Sequence, residues 1–234
     1  MDQTHILLTG SSRGIGAAIA AALDRPGVRL QGHGTASGIA ADFADPAAPA
    51  GLWTRALDAL DGRIDVLINN AGLFEATPLD LDHGDWVAGW EKTLRINLTA
   101  AAELCRLAVR HWQDRGTGGR IVNIASRAAY RGDSPAHWHY AAAKAGMVGM
   151  TKTIARGYAR EGILAFAICP GFTMTGMAED YLESRGGEKL LSDIPLGRVA
   201  MPDEVASAAR YLALEAPGSM TGAVIDINGA SYVR

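Results

Sequence analysis

Thr9-Gly10-Ser11-Ser12-Arg13-Gly14-Ile15-Gly16 comes after a short strand-like run, His5–Thr9, and opens an Ala-rich segment of helical period, Gly14–Leu23, that stops at Pro26-Gly27. Three glycines between a strand and a helix have a physical use. They permit positive-φ backbone and leave no Cβ in the way of a pyrophosphate seated on the helix N-terminus. Unpaired N–H groups and the positive end of the helix dipole favour an anion there. Such a turn also occurs without a ligand, so its weight depends on the residues further along the chain.

Short apolar runs go on alternating with longer helical segments. Val28–Gln31 and Gly38–Ala41 are candidate second and third strands, and the stretch between them (Gly32-His33-Gly34-Thr35-Ala36-Ser37) is too short for a helix. Pro46–Leu60 reads as a helix, and Ile64–Ile68 as a buried strand running into Asn69-Asn70-Ala71-Gly72. A long helix spans Trp86–Arg115 with its break expected near Gly89. Then come a strand at Ile121–Ala125, a helix at Tyr140–Arg160, a strand at Leu164–Cys169, a helix at Asp203–Leu214 and a strand at Ala223–Asp226. Parallel strands need crossover connections, so this alternation predicts a Rossmann-type α/β fold. It would be a doubly wound, mostly parallel sheet of roughly seven strands with helices on both faces. With 234 residues and no repeat or linker, one domain over 1–234 is expected.

A formal charge of −3 gives no electrostatic reason to expect a nucleic acid or an anionic membrane as partner. No apolar run approaches the roughly 18 residues of a membrane span, and Met1-Asp2-Gln3-Thr4-His5 carries no export signal, so a cytoplasmic location is expected. Cys105 and Cys169 sit in apolar contexts without metal-ligand spacing and read as reduced core thiols.

Tyr140 and Lys144 are four residues apart, so on a helix they project from one face. A free phenol ionises near pH 10, and a nearby ammonium favours the phenolate. Tyr140 is then a candidate general acid in reduction and base in oxidation. Ser126, 14 residues upstream at the end of a strand, can hydrogen-bond a substrate oxygen as charge develops on it. In isolation a Tyr-x-x-x-Lys pair is usually an exposed helix face; the order of the whole set argues otherwise.

Thr9-Gly10-x-x-x-Gly14-x-Gly16, Asn69-Asn70-Ala71-Gly72, the set Ser126, Tyr140 and Lys144, and Pro170-Gly171 together resemble the compact branch of the short-chain dehydrogenase/reductases. The tail Gly222–Gly229 is similar to the last strand of 3-oxoacyl-(acyl carrier protein) reductases. The resemblance implies hydride transfer between a nicotinamide cofactor and a carbonyl or alcohol substrate, with a 3-oxoacyl thioester or small ketone as candidates. It implies that Lys144 holds the nicotinamide ribose and that Asn97 supports a proton relay to that lysine. Ile15 would contact the cofactor through its backbone, Asp42 would bind the adenine amino group, Asn70 would lie along the ribose, and Thr175 would approach the pyrophosphate or carboxamide. Ser12, Phe43, Ala71, Gly72, Pro170, Gly171 and Thr173 complete the implied cofactor-binding set, and a homotetramer is implied as the assembly.

An acidic residue at the end of the second strand would hold the adenosine ribose and repel a 2′-phosphate. Gly32-His33-Gly34-Thr35 stands there, with no Asp or Glu before Asp42, while Arg13 can reach a 2′-phosphate and Thr35 or Ser37 can add hydroxyls. NADP(H) is therefore favoured over NAD(H). Phe74, Tyr130, His137, Trp138, Phe172, Met177 and Tyr181 are candidate pocket residues, with at least one of His137, Trp138 and His139 facing the active site. Residues 175–195 read as a lid over the substrate. The competing expectations are an NAD-dependent alcohol or sugar dehydrogenase, a catalytically silent dinucleotide sensor, and a nucleotide-sugar epimerase or dehydratase, the last disfavoured by length. Two departures from the family pattern stand out: the Ser126–Tyr140 interval is about one residue long, and Phe166 occupies a position where the family often has Asn.

Overall fold

The computed structural model describes residues 3–175 and 187–234. Seven strands form one sheet, all parallel: β1 (Thr4–Leu8), β2 (Val28–Gly34), β3 (Ile39–Ala40), β4 (Val66–Asn69), β5 (Gly119–Ile124), β6 (Ile163–Pro170) and β7 (Val224–Ile227). Their spatial order is β3-β2-β1-β4-β5-β6-β7. The order reverses between β1 and β4, which opens a crevice at the strands' carboxyl ends. β1 pairs on one side with β2 (Leu8 opposite Gly32) and on the other with β4 (Leu8 opposite Ile68).

The central strands are apolar on both sides because helices cover both faces of the sheet. α1 (Gly14–Leu23) and α8 (Pro202–Leu214) pack together over Ile6, Leu8, Ile68, Val122, Phe166 and Ile168. Phe166 is fully buried there, so the departure at that position serves packing. On the opposite face lie α2 (Ala48–Ala59), α4 (Ala100–Arg115) and α6 (Trp138–Tyr158). α4 buries Ala101, Leu104, Cys105, Ala108 and Trp112, a stripe at helical spacing. Both cysteines are buried and free. Among the described residues the remaining α-helices are α3 (His83–Leu94), α5 (Ala128–Arg131) and α7 (Gly187–Ser192).

Two boundaries differ from expectation in ways that matter for the site. The long helix does not break at Gly89. Its break is a π-helical turn at Arg95–Thr99 between α3 and α4, centred on the fully buried Asn97. β2 runs on to Gly34, and only four residues separate it from β3. A parallel return normally needs a long crossover. Here only two residues pair, His33 with Ile39 and Gly34 with Ala40, so the chain has to double back by only about 7 Å.

Candidate active site

The glycine turn leaves β1 at the switch point. Gly10 has φ +67°, and a Cβ on it would come within 2.8 Å of the Ala71 backbone; a Cβ on Gly16 would overlap the Gly10 carbonyl. Only glycine fits either place. Thr9 Oγ1 accepts hydrogen bonds from the N–H groups of Asn70 and Ala71, each at 3.0 Å. Asn70 Nδ2 donates back to the carbonyls of Thr9 and Gly10. The turn after β1 and the turn after β4 are thus laced into one cradle. α1 starts at Gly14 with no side-chain cap and no acidic residue in its first turn, so its leading N–H groups are left for an external anion. Thr175 lies over this start, 3.0 Å from where a Gly14 Cβ would stand. A dinucleotide pyrophosphate fits what these residues offer.

Beside this cradle, the end of β2 is held by a residue that the sequence did not mark. His33 Nδ1 accepts the Gly10 N–H at 3.2 Å, and its Nε2 lies 3.0 Å from the Ala41 carbonyl oxygen. Those partners put the proton on Nε2. The ring stacks on Phe43 at 4.5 Å, and burial lowers its pKa. Asp42 is exposed and accepts the Ala44 N–H. Thr35 and Ser37 are exposed, as are Ser12 and Arg13, and Arg13 makes no ion pair among the described residues. Ser12 Oγ and Ser37 Oγ lie 3.3 and 3.0 Å from the place a Gly34 Cβ would take, so two hydroxyls converge over the end of β2.

Ser126 follows β5, and Tyr140 and Lys144 project from the first turns of α6. The extra residue in the Ser126–Tyr140 interval is absorbed by α5 and the turn after it, and the Ser126 hydroxyl stays close enough to the phenol to favour its ionisation. Burial pushes the Tyr140 phenol up to about 12, against the direction expected from the sequence, and the Ser126 hydroxyl pulls it back in part. Lys144 Nζ stands 5.7 Å from the centre of the phenol ring and donates to the Ile124 carbonyl at 2.9 Å. Burial lowers Lys144 itself to about 8. Asn97 exchanges two hydrogen bonds with the Leu73 backbone, its Oδ1 accepting at 2.8 Å and its Nδ2 donating at 2.9 Å. A Cβ on Gly72 would lie 3.1 Å from Asn97 Oδ1 and 3.6 Å from Lys144 Nζ, so these two side chains converge at one point beside the Asn69–Gly72 turn.

Of the expected pocket aromatics, Phe74 meets Tyr140 edge-on at 4.8 Å and stacks on His137 at 3.9 Å. His137 is therefore the member of the 137–139 cluster that reaches the site. His139 is buried instead, accepting the Tyr140 N–H on Nδ1 and meeting Thr77 Oγ1 with Nε2. Trp138 is exposed and lies edge-on to Trp86. Tyr130 turns to the C-terminal tail, stacked on Tyr232 with the Arg234 guanidinium over its ring. Phe172 is half-buried, and its carbonyl accepts the Ala200 N–H. Pro170 accepts the Arg127 N–H, Gly171 pairs with Ile227, and Thr173 is buried with its hydroxyl on the Gly171 carbonyl. Met177 and Tyr181, and most of the lid expected at 175–195, lie outside the described residues.

A family model described as Enoyl-(Acyl carrier protein) reductase matches residues 10–230. D-threitol dehydrogenase of Mycolicibacterium smegmatis is 34% identical, covering 100% of this chain and 95% of its own. The 3-oxoacyl-[acyl-carrier-protein] reductase of Synechocystis is 36% identical, covering 95% and 94%. A solved Agrobacterium tumefaciens structure, assigned provisionally as a 2-deoxy-D-gluconate 3-dehydrogenase and holding NADP, superposes with a TM-score of 0.87 at 28% identity, covering 100% of this chain and 98% of that one. The chain belongs to the short-chain dehydrogenase/reductase family. It is an oxidoreductase of that family, whose members use a nicotinamide dinucleotide and act on small carbonyl or alcohol substrates. Among the described residues no helix is long and apolar enough to cross a membrane.

Proposed function

We propose that the protein interconverts a ketone and its secondary alcohol with NADP(H), with Tyr140 exchanging the proton of the substrate oxygen. The observation that carries this is the Ser126–Tyr140 hydroxyl pair, two groups able to meet one oxygen, with Lys144 and Asn97 behind it at Gly72. The cofactor supplies the hydride in reduction and a positively charged ring in oxidation. A phenol held near 12 stays protonated through the neutral range, which suits a proton donor to a carbonyl oxygen turning into an alkoxide. Ser126 steadies that oxygen through a hydrogen bond that strengthens as charge accumulates. Lys144, brought to about 8, titrates near neutrality and is fit to pass a proton along the Asn97 side of the site. Phe74 and His137 form a wall beside Tyr140.

The preference for NADP(H) rests on Ser12 and Ser37 converging over Gly34, with Arg13 exposed beside them and no carboxylate on β2. Losing a charge-assisted hydrogen bond costs about 1.5–3 kcal/mol, so Arg13→Glu is expected to raise the KM for NADPH by about tenfold or more while sparing NADH. The broader test follows reduced-nicotinamide absorbance with small ketones, 3-oxoacyl thioesters, and polyols in the reverse direction. Turnover of none of them would defeat the proposal. A homotetramer belongs to the same proposal, and size-exclusion chromatography reads its assembly.

A further inference from the structure

Directly after Ser126 in the chain comes an arginine that the proposed chemistry leaves without a task. The Arg127 N–H donates to the Pro170 carbonyl, which fixes this residue between the ends of β5 and β6, directly after Ser126. Its side chain is partly buried, and burial makes its charge costly. Nη1 is buried with no hydrogen-bond partner among the described residues. A guanidinium left so is unusual, since buried donors are almost always paired.

The neighbouring carboxylates are engaged elsewhere. Asp193 is within electrostatic range but binds Arg131 at 2.7 Å. Asp133 is exposed and accepts the Ser134 N–H. Arg131 adds further positive charge around the same corner. We infer that Arg127 is an anchor for an anionic group on the substrate, so that the natural substrate is a compact oxo or hydroxy acid bearing a carboxylate or phosphate near the reacting carbon. This rests on the oxidoreductase function proposed above and narrows its substrate class. A guanidinium fork matches the two oxygens of either anion, and the low-dielectric setting strengthens the pair.

The test compares acetoacetate and levulinate with their methyl esters, as each pair differs only in charge. For wild type, kcat/KM for an acid should exceed that for its ester by about tenfold or more. In Arg127→Met, which keeps most of the side-chain volume, that ratio should fall to near one, mainly through the acid's KM; Arg127→Lys should retain part of it. A wild-type ratio near one, or a ratio unchanged in Arg127→Met, would overturn the anchor and leave the oxidoreductase function standing. If neither acid nor ester is turned over, the function is decided by the wider panel above. The anchor is then read by calorimetry of levulinate binding to the protein saturated with NADP⁺, where equal affinity of wild type and Arg127→Met counts against it and a loss of about tenfold supports it. Replacing levulinate by inorganic phosphate in the same titration distinguishes the two anions.

Discussion

At the scale of single residues, the buried ammonium of Lys144 sets function against stability. Its pKa is about 8 when folded, against 10.5 for a lysine free in water, so below pH 8 both folded and unfolded chains are protonated and the whole burial cost is present. Between about pH 8 and 10 the folded chain sheds a proton that the unfolded chain keeps, and stability rises with pH. Above 10 the raised Tyr140 phenol works in the opposite sense. Lys144→Met should therefore abolish turnover and yet raise the melting temperature at pH 7, by a free energy of a few kcal/mol. It should also flatten the rise between pH 8 and 10. Thermal melts across that range check it; a lower melting temperature in the variant would mean that the Ile124 hydrogen bond outweighs the desolvation. Tyr140, Lys144 and Ser126 could be singled out in the sequence because their spacing is local to one strand end and one helix. The direction of the Tyr140 shift was not, because burial is a property of the packed site.

At the scale of elements, the shortened β2–β3 connection throws work onto His33. With four residues where a crossover would run, the ring itself bridges the glycine turn and the Ala41–Phe43 segment. His33→Leu keeps the bulk but leaves the Gly10 N–H and the Ala41 carbonyl unpaired, at a cost of about 1–3 kcal/mol, and should weaken NADPH binding. Because burial lowers its pKa, the unfolded chain takes up a proton below about pH 6.5 that folded His33 refuses, so stability falls as pH drops through that value. Arg55 is the charged neighbour that adds to this lowering. His111, His137 and His139 are lowered too, so the acid slope is shared, and the difference between wild type and His33→Leu isolates one share. Urea denaturation at pH 5.5 and 7 reads it. The sequence showed that no helix fits between residues 31 and 38, but a His between two glycines carries no mark of its partners. The break expected at Gly89 illustrates the same limit: glycine is a local signal, whereas the π-turn at Asn97 is set by hydrogen bonds to Leu73, 24 positions away.

At the scale of the whole molecule, the parallel sheet and its helices were legible because strand and helix periods alternate along the entire chain. The order β3-β2-β1-β4-β5-β6-β7 puts the ends of β1, β4, β5 and β6 side by side. That arrangement gathers Gly10, Asn70, Ser126 and Pro170 from distant parts of the chain. What periodicity could not supply is the charge balance around Arg127, which depends on Asp193 reaching Arg131 instead. The central claim concerns the phenol at the middle of this convergence. It is tested most directly by steady-state NADPH oxidation in wild type and Tyr140→Phe, using a ketone that the wild type reduces, with saturating cofactor and folding verified by circular dichroism. Loss of about 10²–10⁴-fold in kcat is predicted. Turnover by Tyr140→Phe at the wild-type rate would contradict it.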